Sequence, residues 1–226
     1  MRTVHTLGTV DSTNTWTREG LRTGRLTGAG LVTAERQIAG RGRGANTWDS
    51  DNTHGLWATL FYTRCAERPF DLMVRVSLAV TEALRDFGAK AGIKWPNDVV
   101  VDKQKICGIL AEAFDGNVIA GFGVNLRQVE TDFHPDLAVV AVSLRILTGK
   151  TISNDVFLEC FLRYYDADMD AEARFKRYLG LLAVTGERMR VNERTVRVRG
   201  VSRDGGLLVE DQYGKEEKIM SGTLRW

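Results

Sequence analysis

The run ERQIAGRGRG at residues 35–44, three alternating glycines threaded with two arginines, constrains the fold of this chain more than any other feature. It extends an apolar stretch at 30–35 that reads as a buried strand. It is followed by ANTWDSDNTH, which is turn chemistry, and then by a second strand-like stretch at 56–62. The glycine turn of a dinucleotide-binding fold has to open a helix, so that reading is rejected; the Walker phosphate-loop pattern is not met either. Gly40, Gly42 and Gly44 are expected to leave backbone amides free and sterically open, and Arg41 and Arg43 add two permanently charged forks. Such a loop can wrap an anion. Its bland alternative is a flexible basic surface loop.

Bulk properties bound the function classes. With 226 residues, 43% of them hydrophobic, the chain can bury a full core in one large domain or in one domain with a small appendage. Lys plus Arg number 31 against 29 Asp plus Glu, a formal charge of +2, which argues against a dedicated nucleic-acid binder. Cys65, Cys107 and Cys160 are odd in number and widely spaced, which fits neither a disulfide framework nor a zinc ligand set. The N-terminus has no signal-peptide apolar core and no later run reaches the ~18 apolar residues of a membrane span, so a cytoplasmic location is expected.

Along the chain, strands and helices are mixed and no repeat occurs. Asp11 and Ser12 are N-cap residues for a helix from about Thr13 to Leu21. Apolar residues recur near a 3.6 period from Asp71 to Phe87, with Gly88 as a stop, which predicts a helix packed on a sheet. Ile93–Val101, Lys105–Ala113 and Val118–Val124 read as three strands, the first two joined by the polar turn DKQK as a hairpin. Asn154 is the expected cap of one long helix to about Tyr178, burying Phe157, Cys160, Phe161, Tyr164 and Tyr165. From Gly186 onward the pattern becomes short alternating stretches between turns, a small β-barrel-like appendage whose Arg188, Arg190, Arg197 and Arg199 share outward faces. Those arginines read as a solvated strand surface, with a docking surface as the alternative.

The second chemical segment is KWPND at 94–98, followed by KQKICGILAE at 103–112. Trp95 and Pro96 end a strand abruptly and leave Asn97 and Asp98 at the turn, while Lys105 begins the next strand. Charges of both signs are thereby brought together, although a lone Asp or Lys in a hairpin turn is usually only solvated. Asn125 in GFGVN ends a third strand, toward the same end of the sheet.

Taken together, STN at 12–14, QIAGRGR at 37–43, Trp48, KWPND at 94–98, Lys105 with Gly108, and GFGVN at 121–125 resemble the biotin protein ligase family, in order and at near-family spacing. The resemblance spans nearly the whole chain. It implies an α+β fold like that of class II aminoacyl-tRNA synthetases, a mixed sheet with flanking helices forming a catalytic domain at 1–182. It also implies a small SH3-like β-barrel at 183–226. Because the chain starts only about ten residues before STN, the resemblance implies a short form without the family's N-terminal DNA-binding domain. The activity it implies is ATP-dependent joining of biotin to a lysine of a biotin carboxyl carrier domain, with magnesium accompanying ATP and no protein metal ligands expected. Homodimers occur in the family.

Site residues follow from the same match. Ser12, Thr13, Asn14, Gln37, Gly40, Arg41, Gly42, Arg43, Lys105 and Gly108 fall at biotin-binding positions, where hydroxyl and amide groups suit a ureido ring. Arg41, Arg43, Trp48, Lys94, Asn97, Asp98, Lys105 and Asn125 fall at ATP or adenylate positions, with Arg43, Lys105 and Asp98 in catalytic ones. Asp49–His54 departs from the family's usual short Ser-Pro link after the tryptophan, which puts the edge of the loop in doubt. The competing readings are a lipoate or octanoate ligase or transferase, an inactive relative, and a nucleic-acid-binding regulator that uses the arginine-bearing barrel.

Overall fold

The computed structural model describes residues 3–138 and 140–226. Its frame is a seven-stranded sheet built from β1 (Thr3–Val10), β2 (Ala29–Gln37), β3 (Gly55–Tyr62), β4 (Gly92–Lys94), β5 (Asp98–Val101), β6 (Gln104–Phe114) and β7 (Asn117–Asn125). The spatial order is β1-β2-β3-β7-β6-β5-β4, with β1 parallel to β2 and every other pair antiparallel.

Alternation along the strands gives the sheet two different faces. On one, Leu31, Leu56, Ala58, Leu60, Ala120 and Phe122 join the main core under α2 (Pro69–Asp86). On the other, Val32, Phe61 and Ile119 form a smaller cluster with Leu21 of α1 (Thr13–Arg22) and with Leu26. The α1 face is thinly covered beyond that cluster, and the site lies there. Two short helices, α3 (Pro135–Ala138) and α4 (Leu144–Thr148), follow β7.

Two expectations need correction. The stretch 93–101 is two antiparallel strands, since the turn at Trp95–Asn97 folds β5 back on β4 in a hairpin of its own. The expected long helix is also two: α5 (Asn154–Tyr165), capped by Ser153 rather than Asn154, and α6 (Ala171–Gly180). The acidic link between them favours a break, because the Asp170 carboxylate accepts from the Ala173 amide at 2.8 Å and so starts a new helix. Phe157, Cys160, Phe161 and Tyr165 of α5 are buried as expected.

The C-terminal part is a four-stranded antiparallel sheet, β8 (Arg188–Val191), β9 (Arg194–Val201), β10 (Leu207–Glu210) and β11 (Glu216–Ile219), in the order β11-β10-β9-β8. Arg188, Arg190, Arg197 and Arg199 do point outward. Arg199 pairs with Glu210, and Arg190 with Glu193 at 3.1 Å. The inner face of this sheet, Met189, Val191, Val196, Val198 and Val209, joins the main core. The Trp95 indole donates to the Gly205 carbonyl at 2.9 Å, and Ile93 exchanges backbone bonds with Leu181 and Ala183, so the two sheets are joined directly beside β4.

Candidate active site

The site is a cavity, open at its mouth, on the α1 face of the sheet. Its floor is made by absence of side chains. Gly108 on β6 pairs with Gly123 on β7, and Gly121 pairs with Leu110, so a patch of bare backbone lies where other residues would project. Neighbours fill that space. A Cβ at Gly121 would lie 2.0 Å from Asn14 Oδ1, and one at Gly123 would lie 2.3 Å from Trp48 Nε1. Gly108 is approached by both Trp48 and Lys105. The GFG motif therefore clears a floor for close approach, a role its sequence did not disclose.

One end of the cavity is a buried network of neutral polar groups. The Thr13 amide and hydroxyl both donate to Gln37 Oε1, at 2.7 and 3.0 Å, and Gln37 Nε2 donates to Ser50 at 3.1 Å. The Thr59 hydroxyl lies 2.7 Å from Asn14 Oδ1 and 2.8 Å from the Thr13 hydroxyl. Asn14 Nδ2 is 3.3 Å from both the Leu110 carbonyl and Glu112. Ser12 is the N-cap of α1 by backbone conformation but makes no side-chain cap bond; it is buried and lines the cavity.

The other end is charged. Lys105 Nζ stands 2.7 Å from Asp98 and 4.9 Å from the centre of the Trp48 ring. A register shift between Val99 and Val100 sets this meeting, because it offsets Lys105 from the regular pairing of β5 and β6. Asn97 donates to the Ile109 carbonyl at 2.7 Å. Burial draws the Lys94 ammonium below the usual lysine range, opposed by nearby Asp98. Cys107 lies behind this end, and burial pushes its thiol far above the thiol range, so it is an inert core group.

The glycine and arginine run forms a small hairpin lying over the cavity. Arg41 pairs with Thr47, and Trp48 donates its amide to the Gly40 carbonyl. The amide of Gly42 donates to the Asn46 carbonyl at 2.8 Å, so this glycine does not offer the open amide expected of it. Gly40 is required by crowding instead, since a Cβ there would meet Ser50 Oγ at 2.2 Å. Arg43 reaches the Gly222 carbonyl at 3.1 Å, which ties the hairpin to the C-terminal segment. The divergent Asp49–His54 stretch is held by the ion pair of Arg36 with Asp51, by Trp57 donating to the Asn52 carbonyl at 3.0 Å, and by His54 at 2.8 Å from Asp132.

Ser12, Thr13, Asn14, Gln37, Arg41, Gly42, Arg43, Trp48, Lys94, Asn97, Asp98, Lys105 and Gly108 all line this one cavity. Gly40 sits just behind the lining. Asn125 is elsewhere: its side chain is buried, donates to the Val142 carbonyl at 3.1 Å and accepts from Gln128 at 3.2 Å. Sequence reasoning missed Asn46, Thr47, Ile109, Leu110, Phe122, Thr223 and Leu224, which also line the cavity, and Glu112 beside it. Thr223 and Leu224 carry no local signal, since they arrive from the far end of the chain. A Gly-Lys-Thr triplet does occur at 149–151, but Leu144 stands where a phosphate loop needs its first glycine. Gly149 there closes α4 at φ 72° and Lys150 donates to the Phe87 carbonyl. Among the described residues, no cluster of three or more His, Cys, Asp or Glu is placed to hold a metal ion, and no helix is long and apolar enough to cross a membrane.

A mixed sheet that carries a neutral polar pocket, a lysine–aspartate pair and an arginine-bearing hairpin presents one cavity with a hydrogen-bonding end and a cationic end, suited to an anionic or phosphate-bearing group. The chain belongs to the biotin/lipoate A/B protein ligase family, whose model matches residues 7–128. It is 29% identical over 212 residues to the bifunctional ligase/repressor BirA of Bacillus spizizenii, covering 86% of this chain and 65% of that protein. It is 32% identical over 114 residues to the biotin–[acetyl-CoA-carboxylase] ligase of Mycobacterium tuberculosis, covering 47% and 42%. The matches thus span about two thirds or less of these relatives' length. The solved biotin protein ligase of Aquifex aeolicus, in complex with biotin and ATP, superposes with a TM-score of 0.81 at 25% identity, covering 100% of this chain and 99% of that one.

Proposed function

We propose that this chain is a biotin protein ligase that activates biotin with ATP and transfers it to a lysine of a biotin carboxyl carrier domain. The observation that carries the reading is the polarity of one continuous cavity. Its neutral network of Thr13, Asn14 and Gln37 suits a ureido head, and its far end holds Lys105, Asp98, Lys94 and Arg43. Family membership and the likeness to biotin ligases support it.

In this reading a biotin carboxylate oxygen attacks the α-phosphorus of ATP, pyrophosphate leaves, and biotinyl-5′-adenylate forms. The neutral ε-amine of the carrier lysine then attacks the activated carbonyl, loses a proton and expels AMP. Lys105 stabilises the negative charge that develops during the first step, and its pairing with Asp98 fixes the ammonium in place beforehand. Lys94 and Arg43 neutralise phosphate charge. Ser12, Asn14 and Gln37 orient the head group, while the hairpin with Arg41 and Trp48 excludes water from the mixed anhydride. Magnesium accompanying ATP would offset phosphate charge beside Lys94, Lys105 and Arg43. Residues 183–226 form the SH3-like domain of this reading and 1–182 the catalytic domain, and edge strand β1 offers a surface for homodimer pairing.

Pyrophosphate exchange into ATP, run with biotin, lipoate or octanoate and repeated with Lys105→Ala, tests the proposal. Biotin-dependent exchange that falls about 100-fold or more in the variant is expected. Exchange driven by lipoate or octanoate would transfer the chain to the lipoyl branch of its family, and none with any acid would end the ligase reading.

A further inference from the structure

Glu112 lies beside the cavity without lining it, and three side chains bring four nitrogens to its carboxylate. Arg18 Nη2 lies 3.0 Å away, both terminal nitrogens of Arg41 lie 3.3 Å away, and Asn14 Nδ2 lies 3.3 Å away. The Glu112 side chain is 18% exposed, while Arg41 is 42% exposed. The register of β6 and β7 sets Glu112 opposite Ile119, two residues beyond the Leu110–Gly121 pair, hence beside the Asn14 end of the glycine floor. It is a fixed, half-covered anion on a strand, facing a cation on a hairpin.

We propose that Glu112 is a positioning residue, a latch that holds the 40–48 hairpin closed over the Asn14 end of the cavity and makes closure depend on what occupies that end. A strand carboxylate is immobile, whereas the hairpin is anchored at only a few points: Arg41 on Glu112, Trp48 on the glycine floor and Arg43 on the Gly222 carbonyl. Arg41 supplies an anchor separate from the contact of Arg43 with Gly222, so losing it frees the hairpin to lift at that point. Asn14 adds the coupling. A ligand acceptor that takes the Asn14 amide hydrogen removes that donor from Glu112 and leaves the carboxylate to the arginines, which favours closure once the head group is seated. The latch itself is independent of the ligand's identity; its effect on biotin rests on the function proposed above.

The test is hydrogen exchange, followed by mass spectrometry on the full ligand-free chain, comparing wild type with Glu112→Gln. Glutamine keeps the size and an acceptor for Asn14 but loses the charge that holds Arg41. Amides of 40–48 are expected to exchange roughly threefold faster, as for a half-exposed ion pair, with α1, β6 and β7 unchanged. Arg18→Gln, which shares the carboxylate but not the hairpin, should leave 40–48 as in wild type. Adding Glu112→Gln to Arg41→Gln should give no further increase. The KM for biotin should rise in Glu112→Gln by a factor like that of the exchange while the KM for ATP stays put. Unchanged hairpin exchange, faster exchange spread through α1 and β6, or additive effects in the double variant would each overturn the latch. Faster hairpin exchange in a protein that never activates biotin would leave the latch standing and remove the biotin reading alone.

Discussion

Trp48 and Gly123 fit each other: the indole of the hairpin lies on the backbone of β7 so closely that a Cβ at position 123 would come within 2.3 Å of its nitrogen. The same ring covers Gly108 on the neighbouring strand and receives Lys105 at 4.9 Å. A bare strand pair and a tryptophan 75 positions away in the chain thus form one wall of the site.

Replacing Gly123 with alanine should lift the tryptophan and its hairpin without harming the sheet. The strand itself tolerates alanine, and the lost backbone freedom of glycine offsets the crowding, so stability should stay within about 1 kcal/mol of wild type. Catalytic efficiency in pyrophosphate exchange should fall about 10- to 100-fold because the lid is displaced. Thermal melts and steady-state kinetics check the two halves separately.

Gly121→Ala should behave differently. Its Cβ would meet Asn14 Oδ1 at 2.0 Å, and Asn14 is buried and held by Thr59, Leu110 and Glu112. With no room to swing, α1 must move away from the sheet. Destabilisation of about 1–3 kcal/mol is expected by chemical denaturation, together with a biotin KM raised far more than the ATP KM.

The lowered pKa of Lys94 gives a signed pH dependence. Burial disfavours its charged form, with Asp98 opposing, so the cation present near neutral pH is lost as pH rises through a value below the ordinary lysine range. ATP affinity should therefore weaken with rising pH before free lysine would titrate at 10.5. In Lys94→Met the KM for ATP should already be high at pH 7, and this alkaline rise should be missing from its KM profile.

Trp95→Phe tests how the two sheets are joined. The substitution keeps an aromatic ring at a site only 1% exposed but deletes the donor to the Gly205 carbonyl. A loss of about 1–3 kcal/mol is expected, from the missing bond and the stranded acceptor. Protease cleavage in the 202–206 turn should speed up, while the strands of the large sheet keep their exchange protection.

The sequence by itself determined the local chemistry. Period and capping placed α1, α2 and most strands; AGRGR, KWPND, Lys105 and Ser12–Asn14 named most of the charged and hydrogen-bonding groups that line the cavity, though only about half of its lining residues. These were legible because each depends on neighbours a few positions away: an apolar stripe, a proline that ends a strand, a glycine turn. Where two local signals competed, the reading erred. The apolar stripe from 154 to 178 hid the cap at Asp170, and the continuous β-like run from 93 to 101 hid the fold-back at Trp95–Asn97. Only tertiary structure decided which residues meet across the chain. It turned Asn125 away toward Val142, filled the space above Gly121 and Gly123, brought Gly222–Leu224 to the cavity, and set two arginines on Glu112. Those meetings depend on strand order and register, which link positions up to 179 residues apart and leave no trace in the spacing of any one segment.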